Sequence, residues 1–449
     1  MGANPEARSL NVRPDPTALA AVPVPPQPRT LAETGLSGVM LRDILLKTAF
    51  RKGVETTRDI AAALCVTTGI AQALIDQARE AGLMQATGTM HAGASGEMGF
   101  QLTDQGKARA IDALSQSEYY GPMPVPLEAY KGQVRAQSVR KVRMTRDRLT
   151  VSMGHLILPD GLLDQLGPAV GSGRSVLLYG PPGNGKSSIA EGIRAALGDD
   201  VWIPHAIEYA GQVITLYDPI VHTRVAVAED PDALRRSNDR HDRRYLLCRR
   251  PTVMTGGELS LDMLDLNYNA VARTYQASLQ LKSSGGVFIV DDLGRQEEPP
   301  QKLVNRWIVP MEMGYDILSL QSGEKFEVPF DTLVVFSTNF HPNRIFDLAA
   351  LRRIFFKVLI GGPTQAQFLQ IFGMVARKKG FELDEAALLH LLQARYPEID
   401  HVYANFHAVF LVDQMMAACD FEGLPYRMTP DLVDRAWANL FVADSDVTH

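Results

Sequence analysis

The sequence predicts an α/β domain built on a parallel sheet, with a smaller, mainly helical domain on either side. Three observations predict it. The strand-like "SVLLY" runs straight into the glycine-rich turn "GPPGNGK", and a helical "SSIAEGIRAAL" follows. From about Val151 to Gly362 strand-like and helical stretches alternate, the pattern that sets helices on the faces of a parallel sheet. Both flanks show apolar residues recurring at helical spacing, as in "LRDILLKTAF" and "DEAALLHLLQARY".

Composition narrows the class. At 449 residues, 46% hydrophobic and 21% charged, the chain is long enough for two to four domains. A net charge of −6 and a pI near 6.0 exclude a chain-wide trap for nucleic acid. Cys65, Cys248 and Cys419 lie far apart without CxxC spacing, which excludes a disulfide framework and a cysteine zinc site. His222 and His241 with Cys248 lack zinc spacing as well. The longest apolar runs are strand-sized, such as "VFIV", and the N-terminus has no apolar core before a cleavage site. A soluble, cytoplasmic protein without membrane insertion is expected.

In chain order, residues 1–35 form a leader rich in proline and alanine, expected to be disordered because it has too little apolar surface to bury. Residues 36–115 read as three short helices, a two-stranded wing around "MQATG…GFQL" and a closing helix, the order of a winged helix. Eight basic residues balance eight acidic ones there, so no charge bias favours DNA. Residues 116–150 read as a proline-stiffened linker, basic in its second half ("KGQVRAQSVRKVRMTRDR"). A solvated connector is favoured over a nucleic-acid contact. Residues 151–362 are the α/β domain, and 363–449 a small α-helical domain whose last helix opens on "TPD", an N-cap and first turn.

The chemistry is concentrated in three strand ends. Gly180, Gly185, Lys186 and Ser187 match G-x-x-x-x-G-K-[ST], with Pro181, Pro182, Gly183, Asn184 and Ser188 completing the turn. Its backbone N–H groups and the following helix N-terminus suit the phosphates of ATP; Lys186 suits the β- and γ-phosphates and the Ser187 hydroxyl a Mg²⁺ ion. The buried run "GGVFIV" then delivers Asp291, placed to hold the Mg²⁺, and Asp292, placed to orient or deprotonate the attacking water. A third run, "DTLVVFSTN", ends on Asn339, suited to the γ-phosphate or its water because ligands sit off the C-terminal ends of such strands. Arg352 and Arg353 follow before one more strand.

This order of motifs resembles the AAA+ ATPases over about Val151 to His449. The resemblance implies a nucleotide-binding core of strand order 5-1-4-3-2, a C-terminal lid, and self-assembly into a ring, often a hexamer. It also implies that Gly180–Ser187 are Walker A, Asp291 and Asp292 Walker B, Asn339 sensor 1, and Arg353 the arginine finger with Arg352 as runner-up. "PTVMTGGELSLDMLDL", "DDLGRQ", "LVNRWIVPME" and "LRRI" resemble a prokaryotic AAA-family branch. Three departures stand out. Many relatives carry Glu where Asp292 stands. The lid stretch "YANFHAVFLVDQ" has no arginine, only His407, which reads as a packed histidine. Lys186 and Asp291 lie 105 residues apart, leaving room for insertions that line a pore or hold a client. The expected function is ATP hydrolysis that remodels or assembles a protein complex, the winged helix docking an unknown protein client. A DNA-binding ATPase is the less favoured reading, and a slow ATP-gated switch a third.

Overall fold

Five short strands make the central sheet: β1 (Val176–Tyr179), β2 (Thr252–Thr255), β3 (Val287–Val290), β4 (Leu333–Thr338) and β5 (Phe356–Leu359). In the computed structural model, which describes residues 22–90, 97–226 and 241–441, they pair in parallel in the order 5-1-4-3-2. β3 and β4 are buried along their whole length, as unbroken apolar runs must be when helices cover both faces. Alternation along each strand sorts the side chains. Val176, Leu178, Ile289 and Val335 face the helices Arg146–Met153, Leu162–Gly171 and Lys186–Leu197. Leu177, Phe288 and Phe336 face the helix Pro300–Met313, where the buried Trp307 packs edge-on to Phe288 with centroids 5.2 Å apart.

Much of the long separation between Lys186 and Asp291 is spent on a second sheet. Its strands, in spatial order, are Asn267–Asn269, Thr274–Gln276, Gln212–Thr215, Ala206–Tyr209 and Val125–Pro126. The last of these comes from the segment expected to be an open linker. That expectation fails for a physical reason: the helix Leu127–Ala136 buries Leu127, Tyr130 and Val134, an apolar face that the lysines and arginines between them disguise. Further on, the helix Arg146–Met153 packs on the helix that follows the glycine-rich turn.

The N-terminal unit comprises helices Gly38–Lys52, Thr57–Leu64 and Thr68–Glu80, a hairpin of Met84–Met90 with Glu97–Leu102, and a closing helix Asp104–Gln116. Ser37, Thr56, Thr67 and Thr103 each cap a helix N-terminus through the side chain. Residues 22–35 of the expected leader are ordered against the second sheet: Pro26 bridges to His241, and the Gln133 amide donates to the Pro23 carbonyl at 2.7 Å. The rest of the leader lies outside the described residues. The C-terminal unit holds helices Gln365–Lys379, Glu385–His390, Asn405–Glu422 and Pro430–Leu440 around a core of Phe368, Phe372, Tyr396, Leu411 and Trp437. Among the described residues no single helix is long and apolar enough to cross a membrane.

Candidate functional site

β1 ends at Tyr179, and the chain turns through Gly180, Gly183 and Gly185, all at positive φ, into the helix that begins at Lys186. Gly180 (φ 144°) needs more than conformational freedom: a Cβ there would lie 2.2 Å from the Ile360 carbonyl oxygen. Pairing of β1 with β4, and of β4 with β3, puts the three strand ends side by side at the mouth of this turn. The Gly180 N–H donates to the Thr338 carbonyl at 3.3 Å, and the Leu293 N–H to the Ser337 carbonyl at 2.7 Å.

The structure brings Lys186, Ser187, Asp291, Asp292 and Asn339 into one network. The Ser187 hydroxyl donates to Asp291 Oδ2 at 2.5 Å, so two hard oxygen ligands already touch. Lys186 Nζ donates to the carbonyls of Gly180 (3.0 Å) and Pro181 (2.9 Å) and to Asn339 Oδ1 (2.7 Å). The Asn339 amide in turn donates to Asp292 Oδ1 at 3.0 Å. Burial pulls the Lys186 pKa below its usual value, and the two aspartates pull it partly back up. Asp292 takes a left-handed backbone conformation, φ 48°, which a non-glycine residue adopts at a cost. That turn swings its carboxylate away from Asp291 and towards Asn339, while the Asp292 N–H holds Asp291 Oδ1 at 3.0 Å. Two adjacent acids thus face different partners.

The oxygen donors fit a divalent cation held beside a polyphosphate. Ser187 and Asp291 would hold Mg²⁺, which supplies charge neutralisation for the phosphates. Lys186, now satisfied by loop carbonyls, would exchange them for phosphate oxygens. Among the described residues no cluster of three or more His, Cys, Asp or Glu side chains offers another metal site.

Arg352 and Arg353 do not join this network. They precede β5, whose first residue pairs with Val176 at the start of β1, so they sit at the other end of the sheet from the turn. Arg353 is engaged within the chain: its Nε donates to Glu312 at 2.9 Å and its guanidinium to the Ala349 carbonyl at 2.9 Å. Arg352 is exposed and has no ion pair among the described residues.

Two residues that the motif pattern left out reach the turn from the C-terminal unit. The Phe406 N–H donates to the Gly183 carbonyl at 3.0 Å, and the Phe406 ring lies where a side chain at position 183 would go. Asn405 donates through its side-chain amide to the Asn184 carbonyl at 3.1 Å and through its backbone N–H to Asn184 Oδ1 at 3.3 Å. Only the spacing of a helix start at "ANF" signals them. His407, next along, points into the core, where Tyr396 OH lies 3.2 Å from its Nδ1 and burial lowers its pKa to about 4. It is a neutral packing residue.

Strand order, phosphate turn, paired acids and helical C-terminal unit define the AAA+ P-loop fold. Residues 364–439 match the model of a domain of unknown function (DUF8689). No curated protein matches the chain. Solved structures similar to it include the RuvB Holliday junction branch migration motor of Thermotoga maritima, at 15% identity over 70% of this chain and 75% of that one, TM-score 0.34. NtrX from Brucella abortus matches at 12% over 67% and 56%, TM-score 0.39. The same protein in complex with ADP matches at 12% over 76% and 68%, TM-score 0.38. The fold assignment rests on the strand order and the site, not on these distant likenesses.

Proposed function

We propose that the chain binds and hydrolyses Mg-ATP and works as one subunit of a homo-oligomeric ring, hexameric by analogy with the AAA+ arrangement. The observation that carries this reading is the convergence of Lys186, Ser187, Asp291, Asp292 and Asn339 at adjoining strand ends. Backbone N–H groups of Gly183 to Lys186 would bind the phosphates, Lys186 would take the terminal ones, and Asn339 would align water against Asp292, the general base.

A ring is supported by where the arginines lie. β1 and β5 separate them from their own phosphate turn by about 13 Å of strand, so either can serve only a neighbouring copy. What favours Arg352 over Arg353 as that finger is freedom: Arg353 would first have to leave Glu312. This reverses the order that position alone suggests. The N-terminal unit would dock a protein client in preference to DNA. Its helix Thr68–Glu80 carries Asp76, Arg79 and Glu80, and Arg79 is paired with Asp76 at 3.5 Å, leaving no cationic face to meet phosphate.

The test separates binding from turnover. Lys186→Ala should weaken ATP binding by about 100-fold or more, whereas Asp292→Asn should bind normally and release phosphate about 100-fold more slowly, the usual range for a lost general base. Wild-type turnover by Asp292→Asn would overturn the assignment of the base.

A further inference from the structure

The basic segment Lys131–Arg148 carries seven cations, and the structure shows what most of them do. Lys131 pairs with Glu128 at 2.7 Å, Lys141 donates to the Ala136 carbonyl, Arg146 pairs with Asp164, and Arg148 donates to the Leu197 carbonyl at 2.7 Å. Arg135, Arg140 and Arg143 are exposed and have no ion pair among the described residues.

Arg135 and Arg140 line the same half-open cleft, of about 350 Å³. Its floor is apolar: Val134, Val328 and Phe330, with Met313 64% exposed at the rim. Asp331 also borders it, but both carboxylate oxygens are spent, one on the Ser138 hydroxyl (2.6 Å) and one on the Val139 N–H (2.9 Å). Those bonds tie the turn that follows the helix Leu127–Ala136 to the segment that follows the hairpin of Tyr315–Ser319 and Lys325–Pro329. Glu327 adds one acid without an ion pair. Asp331 stands two residues before β4, so a strand of six residues, about 20 Å, separates the cleft from Asn339.

We propose that this cleft docks an acidic peptide segment of a partner protein, with carboxylates on Arg135 and Arg140 and an apolar side chain on Val134 and Phe330. Guanidinium groups without a partner bind carboxylates through paired hydrogen bonds, and a volume of this size fits one or two side chains. Charge complementarity selects the occupant. A nucleic acid needs a continuous run of cations and a series of stacking rings. Here only Arg135 and Arg140 line the cleft without an ion pair among the described residues, and Tyr315 is the single aromatic at the rim. The proposal stands apart from the ATPase reading, because the two sites lie at opposite ends of the sheet.

The full chain is titrated against fluorescein-labelled Glu-Leu-Asp-Leu-Glu by anisotropy, with a scrambled-charge Lys-Leu-Lys-Leu-Lys control. Binding at tens to hundreds of micromolar is expected, weakened at least tenfold by Arg135→Glu with Arg140→Glu and unchanged by Lys186→Ala. Circular dichroism and ATP binding confirm that the double variant is folded; if it is not, Arg135→Gln with Arg140→Gln is used and should weaken binding at least threefold. Equal affinity of the folded variant for the peptide overturns the proposal. So does displacement of the peptide by a 12-nucleotide oligothymidylate at lower concentration than by unlabelled peptide, which would make the cleft a nucleic-acid site.

Discussion

The N-terminal and C-terminal units are joined to the core in opposite ways. On the N-terminal side the joint is buried and ionic. Arg244, 4% exposed, pairs with the equally buried Asp242 and donates to the carbonyls of Thr34 (2.9 Å) and Pro124 (3.1 Å), the chain entering and the chain leaving the N-terminal unit. A second contact reinforces it: the Glu118 N–H donates to the Ala272 carbonyl, and Arg273 to the Ser115 carbonyl. On the C-terminal side, the contact with the phosphate turn is a few hydrogen bonds and one half-exposed ring, Phe406 on Gly183. One joint excludes water and takes no part in the site. The other is made on the glycine-rich turn itself. The difference sets a buried, charge-locked joint apart from a lighter one that borders the candidate site.

The strongest way to break this contrast is Arg244→Met. It leaves Asp242 buried without its counter-ion and two carbonyls without a donor, which costs about 3–5 kcal/mol. Urea unfolding should show that loss, and limited proteolysis should cut between Gln116 and Pro124. Asp242→Leu added to Arg244→Met should restore part of the stability, since removing a buried charge is cheaper than stranding it. A single variant as stable as wild type would mean that the joint is not ionic in effect.

Acid should loosen the N-terminal joint and the core of the C-terminal unit. His205, at the N-terminal joint 3.8 Å from Cys65 Sγ, has its pKa lowered to about 4, by burial first and then by Arg224 and Lys52. His407 is lowered to about 4 by burial. Both lie below the ordinary value of 6.5, so the unfolded chain binds the proton first. Their contribution is complete above about pH 6.5 and is lost as pH falls towards 4. Near pH 5.5 each should cost roughly 1 kcal/mol, read from urea midpoints between pH 7.5 and 4.5. His407→Gln should flatten that slope, and a slope unchanged in both His205→Gln and His407→Gln would place the titration elsewhere.

The smallest change in stability should come from Phe406→Ala, about 1 kcal/mol for a ring already partly exposed. Its signature lies in ligand binding: ATP affinity should move severalfold, whereas Arg244→Met at a temperature where it stays folded should leave it within twofold. The reverse pattern would swap the roles of the two joints.

The core and the site were legible because their chemistry is local. A glycine turn between strand and helix, and acids or an amide at the ends of apolar runs, need no knowledge of distant residues. The joints were not legible. Arg244 lies in "RHDRRYLL", a stretch that reads as surface charge, and its partners Thr34 and Pro124 are 210 and 120 residues away in sequence. The supposed linker misled for the same reason, since Tyr130 and Val134 among basic residues look solvated until a sheet covers them. The shorter acid at 292 also has a reason that only the backbone reveals. Aspartate tolerates a left-handed conformation better than glutamate, so the turn at φ 48° suits the residue found there.

The buried Arg244 joint has a mechanical consequence. A domain hung on a slack tether absorbs movement, whereas one bolted at both its entry and its exit turns with whatever it is bolted to. Any rotation of a subunit's core would therefore sweep the N-terminal unit through an arc, with the second sheet as its crank. Whatever the N-terminal unit holds would move with the core, with no length of loose chain to take up first.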